Sequence, residues 1–159
     1  MDGYQGPRVI VGVDDSVPGL AALRFAVGEA RRRGLPLHAV RAQTILILGD
    51  HTEIDVAFAE AFGAFPEDVE VHKEVLAGPA AAALSRRANH PGDLLVIGTS
   101  GRGWWHALWT GSVSRGCLRQ AHCQVLIVPG PEMARTSLRR RQRRATWRGL
   151  EDHAQSARG

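Results

Sequence analysis

Asp93-Leu94-Leu95-Val96-Ile97-Gly98-Thr99-Ser100-Gly101-Arg102-Gly103 is an unbroken apolar run that ends in glycines and hydroxyl residues. A short run without polar alternation reads as a strand buried on both faces. Strands of that kind belong to parallel sheets, where a crossover helix must separate each strand from the next. The sequence supplies that order here. Ser112 to Ala121 is predicted to be helical, and Gln124-Val125-Leu126-Ile127-Val128 is the next apolar strand.

The same alternation extends toward the N-terminus. Val9-Ile10-Val11-Gly12-Val13 is a second doubly buried strand. Ser16 can cap the helix that follows, with Pro18 tolerated in its first turn. Leu20, Leu23, Val27 and Ala30 recur at helical spacing up to Gly34, and Leu37 to Ala42 is the next strand. Ile54, Phe58, Phe62 and Phe65 predict a shorter amphipathic helix ended by Pro66. Val69, Val71 and Val75 alternate with Glu70, His72 and Glu74, which predicts a strand near a sheet edge with one face to water. Pro79 opens an alanine-rich helix expected to run to about His90, before Pro91-Gly92. The order is β-α-β-α-β-α-β-α-β, without an internal repeat. The fold class is therefore α/β, a doubly wound five-stranded parallel sheet with helices on both faces.

The chain has 159 residues, 44% hydrophobic and 23% charged, an ordinary balance for one globular core. No apolar run approaches the ~20 residues of a membrane span. Met1-Asp2-Gly3-Tyr4 shows no basic segment leading into an apolar one, so no secretory leader is expected, and the expected location is cytoplasmic. Cys117 and Cys123 form no CxxC, and the seven histidines show no HxH or HxxxH spacing, so no zinc site or disulfide framework is expected. The formal charge of +4 is unevenly distributed. Residues 131–159 hold eight arginines against Glu132, Glu151 and Asp152, a balance of +5, whereas residues 1–130 balance at −1. Pro129-Gly130-Pro131 closes the alternating pattern. The division is thus a folded α/β domain at 1–130 and an arginine-rich tail at 131–159. The tail holds too little apolar surface to order itself and is expected to be disordered. Its cluster Arg139 to Arg144 suits weak, salt-sensitive association with nucleic acid or an acidic partner.

Ligands of open α/β sheets bind beyond the carboxyl ends of the strands, where the direction of connection switches. Gly12-Val13-Asp14-Asp15-Ser16 lies at one such end. Gly98-Thr99-Ser100-Gly101-Arg102-Gly103 lies at another and leads to Gly111-Ser112-Val113-Ser114 at a helix start. Glycines allow close backbone approach, and a helix N-terminus favours phosphate. Turn glycines have the same composition without a ligand, and Asp14 suits either a helix cap or a contact to a base amine or ribose hydroxyl. There is no GxxxxGK[ST], and His106 stands where a dinucleotide fingerprint needs its third glycine.

The spacing Gly98-x2-Gly101-x9-Gly111-Ser112, with Val11-Gly12-Val13-Asp14, Gly78-Pro79-Ala80 and Gln124 to Pro129, resembles the universal stress protein family over about residues 8 to 129. The resemblance implies the strand order 3-2-1-4-5 and a homodimer formed by pairing of strands 124–128. It also implies the ATP-binding branch, with ATP, alone or with Mg²⁺, as the bound cofactor. The site residues it implies are Val13, Asp14, Ser16, Ala42, Gly98, Thr99, Gly101, Arg102, Gly103, Gly111, Ser112, Val113 and Ser114. Ala42 takes the position that lies against adenine. Asp15 places an extra negative charge near the expected phosphates, and Trp104, Trp105 and Trp109 crowd the intervening loop. The function expected is a regulatory or sensor module in stress response, with slow ATP hydrolysis at most and no catalytic residue nominated. The alternatives are a nucleotide-free dimerising scaffold of the same family and a binder of anionic polymers acting through its tail.

Overall fold

Strand parity divides the core into two halves, one on each side of a single parallel sheet. The computed structural model describes residues 6–43, 50–99 and 112–130. Its strands are β1 (Val9–Gly12), β2 (Leu37–Gln43), β3 (Val71–Ala77), β4 (Leu94–Thr99) and β5 (Gln124–Pro129), ordered β3-β2-β1-β4-β5. All four pairings are parallel. The helices are α1 (Val17–Arg33), α2 (Thr52–Phe62), α3 (Ala80–Arg87) and α4 (Ser112–Gln120). Val9, Val11, Leu37, Ala39, Leu94 and Val96 pack with Leu23 and Val27 of α1 and Ile54 and Phe58 of α2. The opposite parity, Ile10, Val40, Leu95 and Ile97, packs with Leu84 of α3 and Cys117 of α4. Because β1 and β4 are covered on both sides, both of their side-chain parities are apolar.

Local chemistry sets the boundaries. Ser16 is extended (φ −80°, ψ 152°), and its Oγ accepts from the Gly19 N–H, which caps α1. Gly34 ends that helix with φ 63°, behind Arg31, Arg32 and Arg33 in its last turn. The C-terminus of α2 differs from the sequence expectation. Gly63, with φ 80°, stops the helix before Pro66. Phe65 lies beyond the helix, and its ring stacks on Phe58 at 4.4 Å between centroids. Helix α3 also stops early, at Arg87 rather than about His90. The following segment is held elsewhere. The Arg8 Nη2 donates to the Arg87 carbonyl at 3.1 Å and to Asn89 Oδ1 at 3.0 Å, and the His90 N–H donates to Asp93 Oδ2 at 3.0 Å.

β3 is an edge strand, as its alternation predicts. Its polar face is only partly open to water, however. The Glu74 side chain is only 16% exposed, because Arg87 of α3 lies over it. Cys117 and Cys123 are both free thiols. Among the described residues no helix is long and apolar enough to cross a membrane.

Candidate functional site

A cavity of about 320 Å³ opens beyond the carboxyl ends of the central strands. It lies beside β1, where the chain order reverses between β2 and β4, the position at which α/β sheets take ligands. The volume is at the lower end of the range for small-molecule sites, ~300–1,000 Å³. Gly12, Val13 and Asp14 form one wall, Val40, Arg41 and Ala42 a second, and Ile97 and Gly98 a third. The start of α4, Ser112 to Ser114, closes one end, and Ala80 and Leu84 of α3 close another side.

Gly98 is required by packing before any ligand is considered. A β-carbon there would stand 2.4 Å from the Pro18 carbonyl oxygen and 2.8 Å from the Gly19 nitrogen. The end of β4 therefore approaches the first turn of α1 backbone to backbone. Leu84 fills the space on the other side of β1, its Cδ1 3.0 Å from where a β-carbon on Gly12 would lie.

Asp14 is exposed at the cavity mouth, yet it is not free of local duties. Its Oδ1 accepts from the Ser16 N–H at 3.0 Å and from the Ser16 hydroxyl at 2.5 Å. Gly19 leaves room for this carboxylate, since a β-carbon at that position would stand 1.9 Å from Asp14 Oδ1. The cap and the acceptor on the cavity wall are thus one linked structure. At the other end, the first N–H groups of α4 have no partner within the helix and carry the positive end of its dipole. The Ser114 side chain is buried there, while Ser112 is exposed.

Seven of the residues expected from sequence line this one cavity: Val13, Asp14, Ala42, Gly98, Ser112, Val113 and Ser114. Ser16 caps α1 without lining it, and Thr99 is buried at the end of β4. Gly101, Arg102, Gly103 and Gly111 lie outside the described residues, as do Trp104, Trp105, Trp109 and the tail. The structure adds Arg41 and Leu84 to the walls. Arg41 Nη1 donates to the Val13 carbonyl at 3.3 Å, and its Nε pairs with Glu53 Oε2 at 2.6 Å. Its position at the end of β2 was the available signal in sequence. Leu84 offered none, because its helical spacing reads equally as core.

The geometry has counterparts among known proteins. A model described as "Universal stress protein family" matches residues 49–129. The chain belongs to the universal stress protein family. A curated universal stress protein of Mycobacterium tuberculosis is 33% identical over 145 residues, covering 79% of this chain and 48% of that protein. A second from the same organism is 30% identical over 135 residues, covering 77% of this chain and 45% of that protein. The chain thus spans about half the length of the curated family members it matches. A solved universal stress protein from Archaeoglobus fulgidus superposes with a TM-score of 0.61 at 24% identity, over 77% of this chain and 98% of that one, and shares the fold. A universal stress protein solved in complex with cAMP superposes with a TM-score of 0.60 at 28% identity, over 77% of this chain and 95% of that one.

Proposed function

We propose that this member of the family binds adenine nucleotides and acts as a regulatory module rather than as an efficient enzyme. The observation that carries the reading is the meeting of Asp14, Ala42 and the start of α4, from three distant parts of the chain, around one cavity. The base lies against Ala42, the ribose near Asp14, and the phosphates at Ser112 to Ser114 with Gly98, Gly101, Arg102, Gly103 and Gly111. The related structure that holds cAMP supports an adenine nucleotide as the ligand class. The finer assignment is ATP with Mg²⁺. Occupancy would favour whichever conformation binds the nucleotide more tightly, and that differential affinity is the signal.

The deciding experiment is mass analysis of small molecules released from the purified, denatured protein, followed by calorimetric titration with ATP, with and without Mg²⁺, and with cAMP. Binding that Gly101→Val abolishes in a folded protein is expected. Equal affinity in wild type and variant overturns the phosphate assignment.

Association through β5 is a second part of the proposal. Among the described residues β5 pairs with β4 alone, so its other edge carries main-chain groups available to a second copy. Sedimentation is expected to show a dimer that Ile127→Lys dissociates, and a wild-type monomer at high concentration removes the interface. The division at Gly130 belongs to the same reading, with the tail adding salt-sensitive binding to nucleic acid or an acidic partner.

A further inference from the structure

Outside the cavity, a cluster of titratable side chains lies where β2, β3 and α3 meet. His38 of β2 is fully buried, and in register beside it on β3 is His72. The two imidazoles stack at 4.6 Å between centroids, 13° from parallel. His38 Nδ1 lies 2.5 Å from Glu74 Oε1. Arg87, at the C-terminal end of α3, donates from Nε to Glu74 Oε2 at 2.5 Å. The Arg87 Nη2 lies 2.8 Å from the same His38 Nδ1. The other ring nitrogen of His38, Nε2, is buried with no hydrogen-bond partner among the described residues.

Nδ1 thus meets two groups with opposite demands, a carboxylate that accepts and a guanidinium that only donates. In the tautomer with the hydrogen on Nδ1, the ring donates to Glu74 and offers the Arg87 guanidinium no lone pair. A second proton on the ring therefore goes to Nε2, where nothing accepts it. It also places an imidazolium 2.8 Å from the Arg87 guanidinium, with one carboxylate between them. The groups facing His38 are His72 and Glu74 from β3 and Arg87 from α3, while β1 presents apolar Ile10 in register. His72 is itself paired through Nε2 with Glu70 Oε1 at 2.8 Å, so any charge it carries adds to the repulsion across the stack. Protonating His38 thus opposes the Arg87 contact.

That contact holds an element of the cavity wall. Ala80, Leu84 and Arg87 are spaced i, i+4, i+7 and share one face of α3. Ala80 and Leu84 line the cavity, and Leu84 packs over Gly12. The clamp on Glu74 is one turn further along the same helix. We propose that Arg87 is a positioning residue for the cavity wall and that protonation of His38 releases it, so that ligand affinity is coupled to the charge on a buried imidazole. This regulation rests on the nucleotide-binding reading above. Linkage is reciprocal, so a ligand that needs the ordered wall also opposes proton uptake.

The test uses the full chain and cAMP, whose phosphodiester does not titrate near neutral pH. Affinity is expected to fall by about fivefold or more between about pH 8 and 5.5 in the wild type. His38→Gln can still donate to Glu74 but cannot charge, and it is expected to keep the alkaline affinity at both pH values. Arg87→Ala is expected to be weak and flat with pH, and Arg87→Lys to recover part of the alkaline affinity. A wild-type profile that is flat, or that survives in His38→Gln, overturns the inference. Hydrogen exchange of the α3 amides, corrected for intrinsic rates, gives a readout without ligand. Protection should drop toward acid pH in the wild type and not in His38→Gln. If cAMP binds at no pH, the nucleotide reading fails separately, and unchanged α3 protection then disposes of the clamp as well.

Discussion

Gly98 and Pro18 meet with no room for a side chain between them: a β-carbon on Gly98 would stand 2.4 Å from the Pro18 carbonyl oxygen. The neighbour is backbone and cannot rotate away, so α1 or β4 would have to shift. Gly98→Ala is expected to lower stability by about 1–3 kcal/mol, the usual cost of overpacking. Urea denaturation checks it, and an unchanged midpoint would show that the contact relaxes freely.

Ser16 serves the fold and the cavity rim together, capping α1 through the Gly19 N–H at 3.0 Å while its hydroxyl donates to Asp14. Ser16→Ala removes both bonds. The expected loss is about 1 kcal/mol from the cap. Nucleotide affinity should fall too, because the Asp14 carboxylate loses the hydroxyl and keeps only the residue 16 N–H. Ser16→Thr, which keeps the hydroxyl, should recover most of both in paired denaturation and titration measurements.

Glu74 contributes a pH dependence of defined sign. Burial would raise its pKa, but donors from His38 and Arg87 outweigh that and hold it at about 2, below its usual 4.5. A depressed carboxylate stabilises the fold above the unfolded value, and that contribution is lost as pH falls through the folded one. In a His38→Gln background, which removes the imidazole titration, the stability difference between Glu74 and Glu74→Gln is therefore expected to be full at pH 6 and to shrink between about 4.5 and 2. A constant gap across that range would contradict the carboxylate's charged role.

Ala42 lines the cavity from the end of β2. A larger side chain there occupies the proposed base position from a half-buried, not a core, residue. Ala42→Phe is expected to weaken nucleotide binding more than tenfold, about 1.4 kcal/mol or more, while thermal unfolding changes little. Retained affinity in calorimetry would move the base elsewhere in the cavity.

Much of this protein was legible in its sequence because the signals were local and repeated. The apolar runs at Val9 to Gly12 and Leu94 to Ile97, the alternation around Val71 to Val75, the Ser16 cap and the Gly34 stop each depend on residues a few positions apart. Together they determined the elements and the parallel class. The spacing of Gly98 and Ser112 located the cavity end, since strand ends and helix starts are fixed once the elements are.

What the sequence left open depended on residues that meet only after folding. Helix α3 stopped early because Arg8, 79 positions before Arg87, holds the segment after it together with the nearby Asp93. Leu84 became cavity wall because β1 offers Gly12 opposite it. His38, Glu74 and Arg87 are separated by 36 and 13 positions along the chain and carry no recognisable spacing. Periodicity reports which face of an element is apolar. Only tertiary packing decides which polar groups that face will meet, because the partner comes from another element, at a position the local pattern does not encode.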